Sequence, residues 1–80
     1  MPKNCYLLLG GGSINASSAP EFVYRMRDMS FYRGDSLIDF MEEVSDRCWL
    51  YSESIIRTDS CDHFLADLIR NDFVVQIKFN

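Results

Sequence analysis

The sequence predicts a small α+β domain. The chain has 80 residues, 48% of them hydrophobic, which suits one domain (residues 1–80) with a thin core. An apolar run and an alternating segment predict strands near the two termini, and two capped segments with helical spacing predict helices between them. We expect a two-layer domain in the order β-β-α-β-α-β, with a three- or four-stranded, mainly antiparallel sheet and two helices on one face.

The two terminal strands differ in pattern. Residues 4–9 form a continuous apolar run that stops at three glycines, which predicts a central strand buried on both faces. Residues 10–20 are rich in Gly, Ser, Asn and Ala, and we expect a surface loop there. The last strand alternates, so one side chain set faces one way (Phe73, Val75, Ile77, Phe79) and the other set faces the opposite way (Val74, Gln76, Lys78).

Residues 21–33 are ambiguous between strand and helix. Ser18 and Glu21 match a capping box with an early proline, and Phe22, Met26 and Met29 follow at helical spacing. The segment 24–27 alternates with period two, however, and Phe-Val-Tyr is typical of strands. We favour a strand here. If residues 21–29 are instead helical, the domain has three strands and three helices.

Two helices are clearer. Ser36 and Asp39 match a capping box for a helix over residues 36–47, whose inward face is apolar (Leu37, Phe40, Met41, Val44, Cys48). Asp59 or Ser60 caps a second helix that ends at Asn71, a residue suited to a left-handed stop. Its inward face is also apolar (Cys61, Phe64, Leu65, Leu68). Between the helices, the aromatic and β-branched segment Trp49–Ile56 predicts a strand.

The charge is divided unevenly along the chain. Residues 1–34 carry a net charge of +2, and residues 35–80 carry −6. This acidity disfavours direct nucleic-acid binding, which requires a basic face, and suits a protein partner with a basic surface. An odd number of cysteines (Cys5, Cys48, Cys61) indicates reduced thiols and a cytoplasmic location, and no segment is long and apolar enough to suggest a membrane span.

One candidate docking surface is acidic. Four acids stand at i, i+3, i+4 and i+7 on the first predicted helix and so form one stripe opposite its apolar face (Asp39, Glu42, Glu43, Asp46). We call these residues the acidic stripe. It is either a solvated face or a docking site for a basic partner. A second candidate surface has the opposite sign and combines arginines with an aromatic residue (Arg25, Arg27, Tyr32, Arg33).

The aromatic content, 14%, exceeds what a thin core needs, so some aromatics should lie at the surface (Tyr24, Phe31, Tyr32, Trp49, Tyr51). We expect no catalytic, metal or cofactor site. Acids on an exposed helix face lack the desolvation that acid–base chemistry requires. The side chains of Cys61 and His63 point about 200° apart on a helix. Even together with Cys48, they supply only three of the four ligands that a structural zinc site requires.

The function that follows is a non-enzymatic protein-binding module. In size and charge the chain resembles bacteriophage-encoded inhibitors of bacterial defence complexes, and this resemblance implies docking on the basic surface of a nucleic-acid-handling machine. Two alternatives remain open. One is a structural or regulatory homodimer that pairs through an edge strand, either 73–79 or 21–27. The other is a small thiol-dependent enzyme or sensor that uses Cys61.

Overall fold

The computed structural model describes residues 3–77 as a three-stranded antiparallel sheet and three helices, of which the first and third pack against the sheet and the second packs against the first. The elements in chain order are β1 (Asn4–Leu8), β2 (Ser13–Ala16), α1 (Ala19–Met29), α2 (Leu37–Ser52), α3 (Cys61–Arg70) and β3 (Val74–Ile77). The strand order across the sheet is β2-β1-β3, so β1 is central, as its apolar run predicts. The α+β class is confirmed, whereas the order of elements is β-β-α-α-α-β.

The first two strands form a hairpin, so the expectation of a loop over residues 10–20 is wrong. Tyr6 lies opposite Ile14 in the ladder, and both side chains are buried. At the turn the Leu8 N–H donates to the carbonyl of Gly12 at 3.1 Å. Gly12 has a φ of 88°, a conformation that favours glycine. The small residues of β2 have the composition of a loop, yet they form a strand in which alternate positions, Ile14 and Ala16, are buried.

The segment after the hairpin is the helix α1, so the preference for a strand over residues 21–33 is wrong. The Ser18 side chain accepts a hydrogen bond from the Glu21 N–H at 3.2 Å, and proline follows in the first turn. The Glu21 carboxylate in turn accepts from the Ser17 N–H. Phe22 and Val23 are fully buried. These caps fix the start of a helix, and they outweigh the strand propensity of Phe-Val-Tyr.

The helix α2 continues through Ser52, so the strand expected over Trp49–Ile56 is wrong. No glycine or proline interrupts residues 37–52, and Cys48 is buried one turn beyond Val44. The helix stops at Glu53, which takes a left-handed conformation with φ 55°. Residues 53–60 then form an irregular connection, held to α2 by the Ser45 hydroxyl, which donates to the Ile56 carbonyl at 2.7 Å.

The helix α3 begins at its Ser60 cap, as predicted, and buries Phe64, Leu65 and Leu68. Asn71 has a φ of −96°, so the expected left-handed stop there is wrong. The left-handed residue is Asp72, with φ 66°. Its N–H donates to the Ile69 carbonyl at 3.1 Å, so the chain reverses one residue later than the sequence suggests.

The sheet has one covered and one open face. Tyr6 packs edge-on against Phe22, with ring centroids 4.9 Å apart, and Val74 is buried in the same core. Leu7 and its cross-strand partner Val75 are 42% and 52% exposed. The expectation that β1 is buried on both faces is therefore wrong. The alternation expected in β3 is seen at Val74 and Val75, and the set that contains Val74 faces the helices. Lys78 and Phe79 lie outside the described residues.

Candidate protein-docking face

The outer face of α2 holds the acidic stripe. Ser36 starts this helix by accepting a hydrogen bond from the Asp39 N–H at 3.1 Å. Phe40, Met41 and Cys48 are buried, and α2 packs against α1 through this inner side. With about 100° between successive residues, the four acids of the stripe project away from that side. The helix therefore gathers them on one surface, as their spacing predicts.

The members of the stripe differ in their surroundings. Glu42 and Asp46 are exposed, one helical turn apart, whereas Asp39 and Glu43 are half-buried. The Arg47 guanidinium donates to the Glu43 carboxylate at 3.0 Å. Like charges at i, i+4 repel each other by a few tenths of a kcal/mol, so Glu42 and Asp46 gain from any cation that approaches this face.

Apolar residues extend the same face toward the C-terminus of α2. Trp49 and Leu50 are 51% and 83% exposed. On a helix they lie within about 60° of Asp46, on the same outward side. The sequence reasoning missed Leu50, and it placed Trp49 in a strand. The sequence does carry a signal for both residues, because they follow Asp46 at i+3 and i+4 with no glycine or proline between. We call the acidic stripe together with Trp49 and Leu50 the α2 face.

All five aromatics expected at the surface are exposed, which confirms that expectation (Tyr24, Phe31, Tyr32, Trp49, Tyr51). Single exposed apolar residues are common on proteins, whereas a contiguous group beside charges is typical of interaction sites. Trp49 and Leu50 are adjacent to each other and to the stripe, and tryptophan is enriched among the residues that dominate binding energies.

The arginines of the second candidate surface bind partners within the chain. Arg27 donates to the carbonyl of Arg33 at 2.7 Å and to that of Gly34 at 3.2 Å. Arg33 donates to the Asp28 carbonyl at 3.2 Å. Arg25 pairs with Glu21 at 3.1 Å. The contacts of Arg27 and Arg33 fasten the connection between α1 and α2, in which Tyr32 lies exposed, whereas the Arg25 pair lies within α1. The docking role expected for this segment remains a prediction.

Two carboxylates are strongly acidic for structural reasons. The pKa of Glu21 is lowered to about 2 by hydrogen bonds from the Ser17 backbone, Lys3, the Ser17 hydroxyl and Arg25. The pKa of Asp67 is lowered to about 2, chiefly by its side-chain hydrogen bonds from Arg57. Both groups remain ionised at neutral pH. They fasten the start of α1 and the connection before α3, and neither belongs to the α2 face.

The thiol alternative meets unfavourable chemistry. Burial and the nearby Asp62 raise the pKa of the Cys61 thiol, whereas a nucleophilic cysteine needs a lowered pKa. The His63 ring lies 2.9 Å from Asp59 through Nδ1, so its neighbour is a carboxylate. Within residues 3–77, no group of three or more His, Cys, Asp or Glu is arranged to hold a metal ion.

A 600 Å³ open groove is lined partly by α2, on the side of that helix turned away from Glu42 and Asp46. Its wall on α2 includes Arg47, Cys48 and Tyr51, and its opposite side comes from the ends of β1 and β3. In the described part of the chain, no helix has both the length and the hydrophobicity that a membrane crossing requires. Comparison with models of protein families, with curated proteins and with solved structures gives no match to this chain.

Proposed function

We propose that this protein is a non-enzymatic protein-binding module that docks its α2 face on the basic surface of a partner protein. One observation carries the proposal. Trp49 and Leu50 are exposed on the side of α2 that also presents Glu42 and Asp46. Acids and large apolar side chains together supply the two properties that specific docking requires, long-range attraction and desolvated anchors.

Each part of the face has its own role in this proposal. Glu42 and Asp46 attract the basic partner and orient it, an effect that salt screens over about 10 Å. Trp49 and Leu50 then lose their contact with water and hold the complex together. Because a single exposed ion pair contributes little by itself, the affinity depends on the acids acting together, and reversing two of them replaces attraction by repulsion.

The sharper form of the proposal is an inhibitor. A basic surface on a nucleic-acid-handling complex normally holds phosphates through Lys and Arg. The acidic stripe presents carboxylates to the same cations, so docking would exclude the nucleic acid. The net charge of −4 favours this mode over direct binding of nucleic acid by the chain itself.

Affinity capture with matched variants tests the proposal. The immobilised protein is exposed to lysate of the cells in which it acts, at 50 mM and 500 mM salt. Glu42→Lys/Asp46→Lys reverses the stripe, and Asp28→Lys/Asp62→Lys changes the net charge equally at exposed acids elsewhere. We expect one protein to be retained by the native chain and by the control, to be lost from the stripe variant, and to be released by salt. Retention by the stripe variant would contradict the proposal.

Self-association is the second candidate. β3 lies at the edge of the sheet, and on the open face Leu7 and Val75 form an exposed apolar pair. Exposed strand edges and apolar sheet faces both favour pairing with another chain. The alternative edge, residues 21–27, is excluded because it is helical. Sedimentation measures the mass of the native protein and of the Val75→Lys variant. A native dimer that the substitution dissociates supports self-association, and a native monomer at all concentrations contradicts it.

A further inference from the structure

Trp49 lies on the outward side of α2, one turn beyond Asp46. Its side chain is 51% exposed, and Glu42 and Asp46 are exposed on the same side. At about 100° per residue, Glu42 and Asp46 lie about 20° and 60° around the helix from Trp49. Long side chains on a helix lean toward its N-terminus, so the indole lies over the turn that carries Asp46. An aromatic ring and a carboxylate therefore stand side by side, and both are open to solvent.

The two carboxylates beside Trp49 are not neutralised by a cation of the chain. Among the residues that the structure describes, no lysine or arginine forms an ion pair with Glu42 or Asp46. Arg47 lies about 160° around the helix from Trp49 and pairs with Glu43 at 3.0 Å. The surface around Trp49 is therefore complementary in charge to a cation that another molecule supplies.

The end of α2 gives a second reason to expect a cation there. The last turns of α1 and α3 each contain an arginine, Arg27 and Arg70, whereas the last turn of α2 contains no basic residue. The carbonyl groups at the C-terminus of a helix carry a partial negative charge, which a nearby cation stabilises. Because Trp49 lies in this last turn, the helix dipole and the charge of Asp46 favour a cation at the same place.

The aromatic ring distinguishes between the two common cations of a protein surface. A guanidinium group is planar and weakly hydrated, so it can stack on the indole of Trp49 while its N–H groups donate to a carboxylate. A lysine ammonium is compact and strongly hydrated, and it lacks the planar fork that makes both contacts at once. Tryptophan is also the aromatic side chain that attracts cations most strongly. The combination of ring and carboxylate therefore favours arginine.

From this arrangement we infer that the α2 face recognises an arginine of the partner protein, whose guanidinium stacks on Trp49 and donates to Asp46. The inference rests on the proposed function and names the group that the partner presents. Glu42 lies one turn farther from Trp49 and attracts the basic residues that flank this arginine. A partner with lysine at the same position is attracted to the face but is held less tightly.

Two peptides that differ only in their cation test the inference. Each has twelve residues, in which glycine alternates with arginine in the first and with lysine in the second, so that length and charge are equal. We expect the arginine peptide to bind the native protein about threefold more tightly, measured by fluorescence anisotropy of the labelled peptides in 100 mM salt. The ratio of the two affinities is the readout, because general charge attraction acts on both peptides.

Substitutions locate the contact. Trp49→Leu should bring the affinity ratio close to one, whereas Trp49→Phe keeps an aromatic ring and should retain part of the preference. Tyr24→Leu is the matched control, because it removes a ring of similar exposure, 54%, from α1 and should leave the ratio unchanged. Asp46→Asn should weaken the binding of both peptides and also lower the ratio. A preference for arginine that persists undiminished in Trp49→Leu would contradict the inference.

The fluorescence of Trp49 gives an independent readout, because it is the only tryptophan in the chain and the unlabelled peptides contain no aromatic residue. At saturation, the arginine peptide should protect Trp49 from acrylamide quenching more than the lysine peptide does, and equal protection contradicts the inference. Equal affinity for the two peptides, or no binding of either, also overturns it. The proposed function is judged separately by lysate capture, which depends on reversing the charges of Glu42 and Asp46.

Discussion

Replacement of Asp67 by asparagine should destabilise the fold in a pH-dependent way. The Asp67 side chain is only 3% exposed and pairs with Arg57, which is 44% exposed. Its carboxylate accepts from the Arg57 backbone N–H at 2.9 Å and from the guanidinium at 2.9 and 3.0 Å. Asparagine has nearly the size of aspartate, but its side-chain amide carries no negative charge. The donors of Arg57 would therefore lose their ion pair, which is the main anchor of the connection before α3.

The magnitude follows from the pKa of Asp67, which is lowered from 3.8 to about 2. At 1.36 kcal/mol per pKa unit this corresponds to roughly 2 kcal/mol at neutral pH. Solvent around Arg57 screens part of the attraction, so we expect a loss of about 1–2 kcal/mol. Because the folded carboxyl binds its proton more weakly than the unfolded one, the contribution is complete above about pH 5 and disappears as the pH falls toward 2.

Urea unfolding of the native chain and Asp67→Asn at pH 7 and pH 3 measures this effect. The difference in unfolding free energy should shrink by about half at pH 3, which lies between the folded and unfolded pKa values. Asp62→Asn, at an exposed carboxylate of the same helix, is the matched control and should show little difference at either pH. A gap below about 0.5 kcal/mol at pH 7, or one that does not change with pH, would refute the reasoning.

Three further predictions concern backbone strain and thiol chemistry. Gly34→Ala should cost about 2–3 kcal/mol in urea unfolding, because φ is +71° and the new Cβ would lie 2.8 Å from the Phe40 backbone nitrogen. Gly12→Ala is the control for this prediction: its new Cβ would meet only a flexible side-chain end at 3.4 Å, so its unfolding free energy should fall by less. Glu53→Gly should stabilise by about 1 kcal/mol and raise Tm by several degrees, because it relieves a left-handed residue. Cys61, whose pKa is raised by burial, should react with iodoacetamide at pH 7.5 no faster than an unfolded-chain thiol.

The sequence predicts those elements in which cap and periodicity agree. Ser36 and Ser60 start α2 and α3, and the apolar sets that follow are the ones the core contains. The prediction from sequence fails where a segment has the composition of a strand but continues a helix. Trp49–Ile56 is aromatic and β-branched, yet its first residues continue a helix that nothing interrupts. A short apolar segment is compatible with a helix or with a strand, and its tertiary packing decides which one forms.

The orientation of β3 could not be read from its alternation. Both sets of side chains contain valine, and only packing against α3 selects Val74 as the buried one. Only part of the candidate site could be predicted from the sequence. The acids of the stripe follow from helical spacing alone. The participation of Trp49 and Leu50 depends on where α2 ends, and Glu53 marks that end without the glycine that usually signals it.

The environment of Trp49 tests the docking of the α2 face most directly. Trp49 is the only tryptophan in the chain and is half exposed on this face. Protein labelled with 5-fluorotryptophan gives one ¹⁹F signal from this side chain, whatever tryptophans the partner contains. We predict that the signal shifts when the captured partner binds, and that it loses its sensitivity to solvent exchange from H₂O to D₂O. A complex that forms while the signal stays unchanged would place the interface elsewhere and contradict the proposed docking.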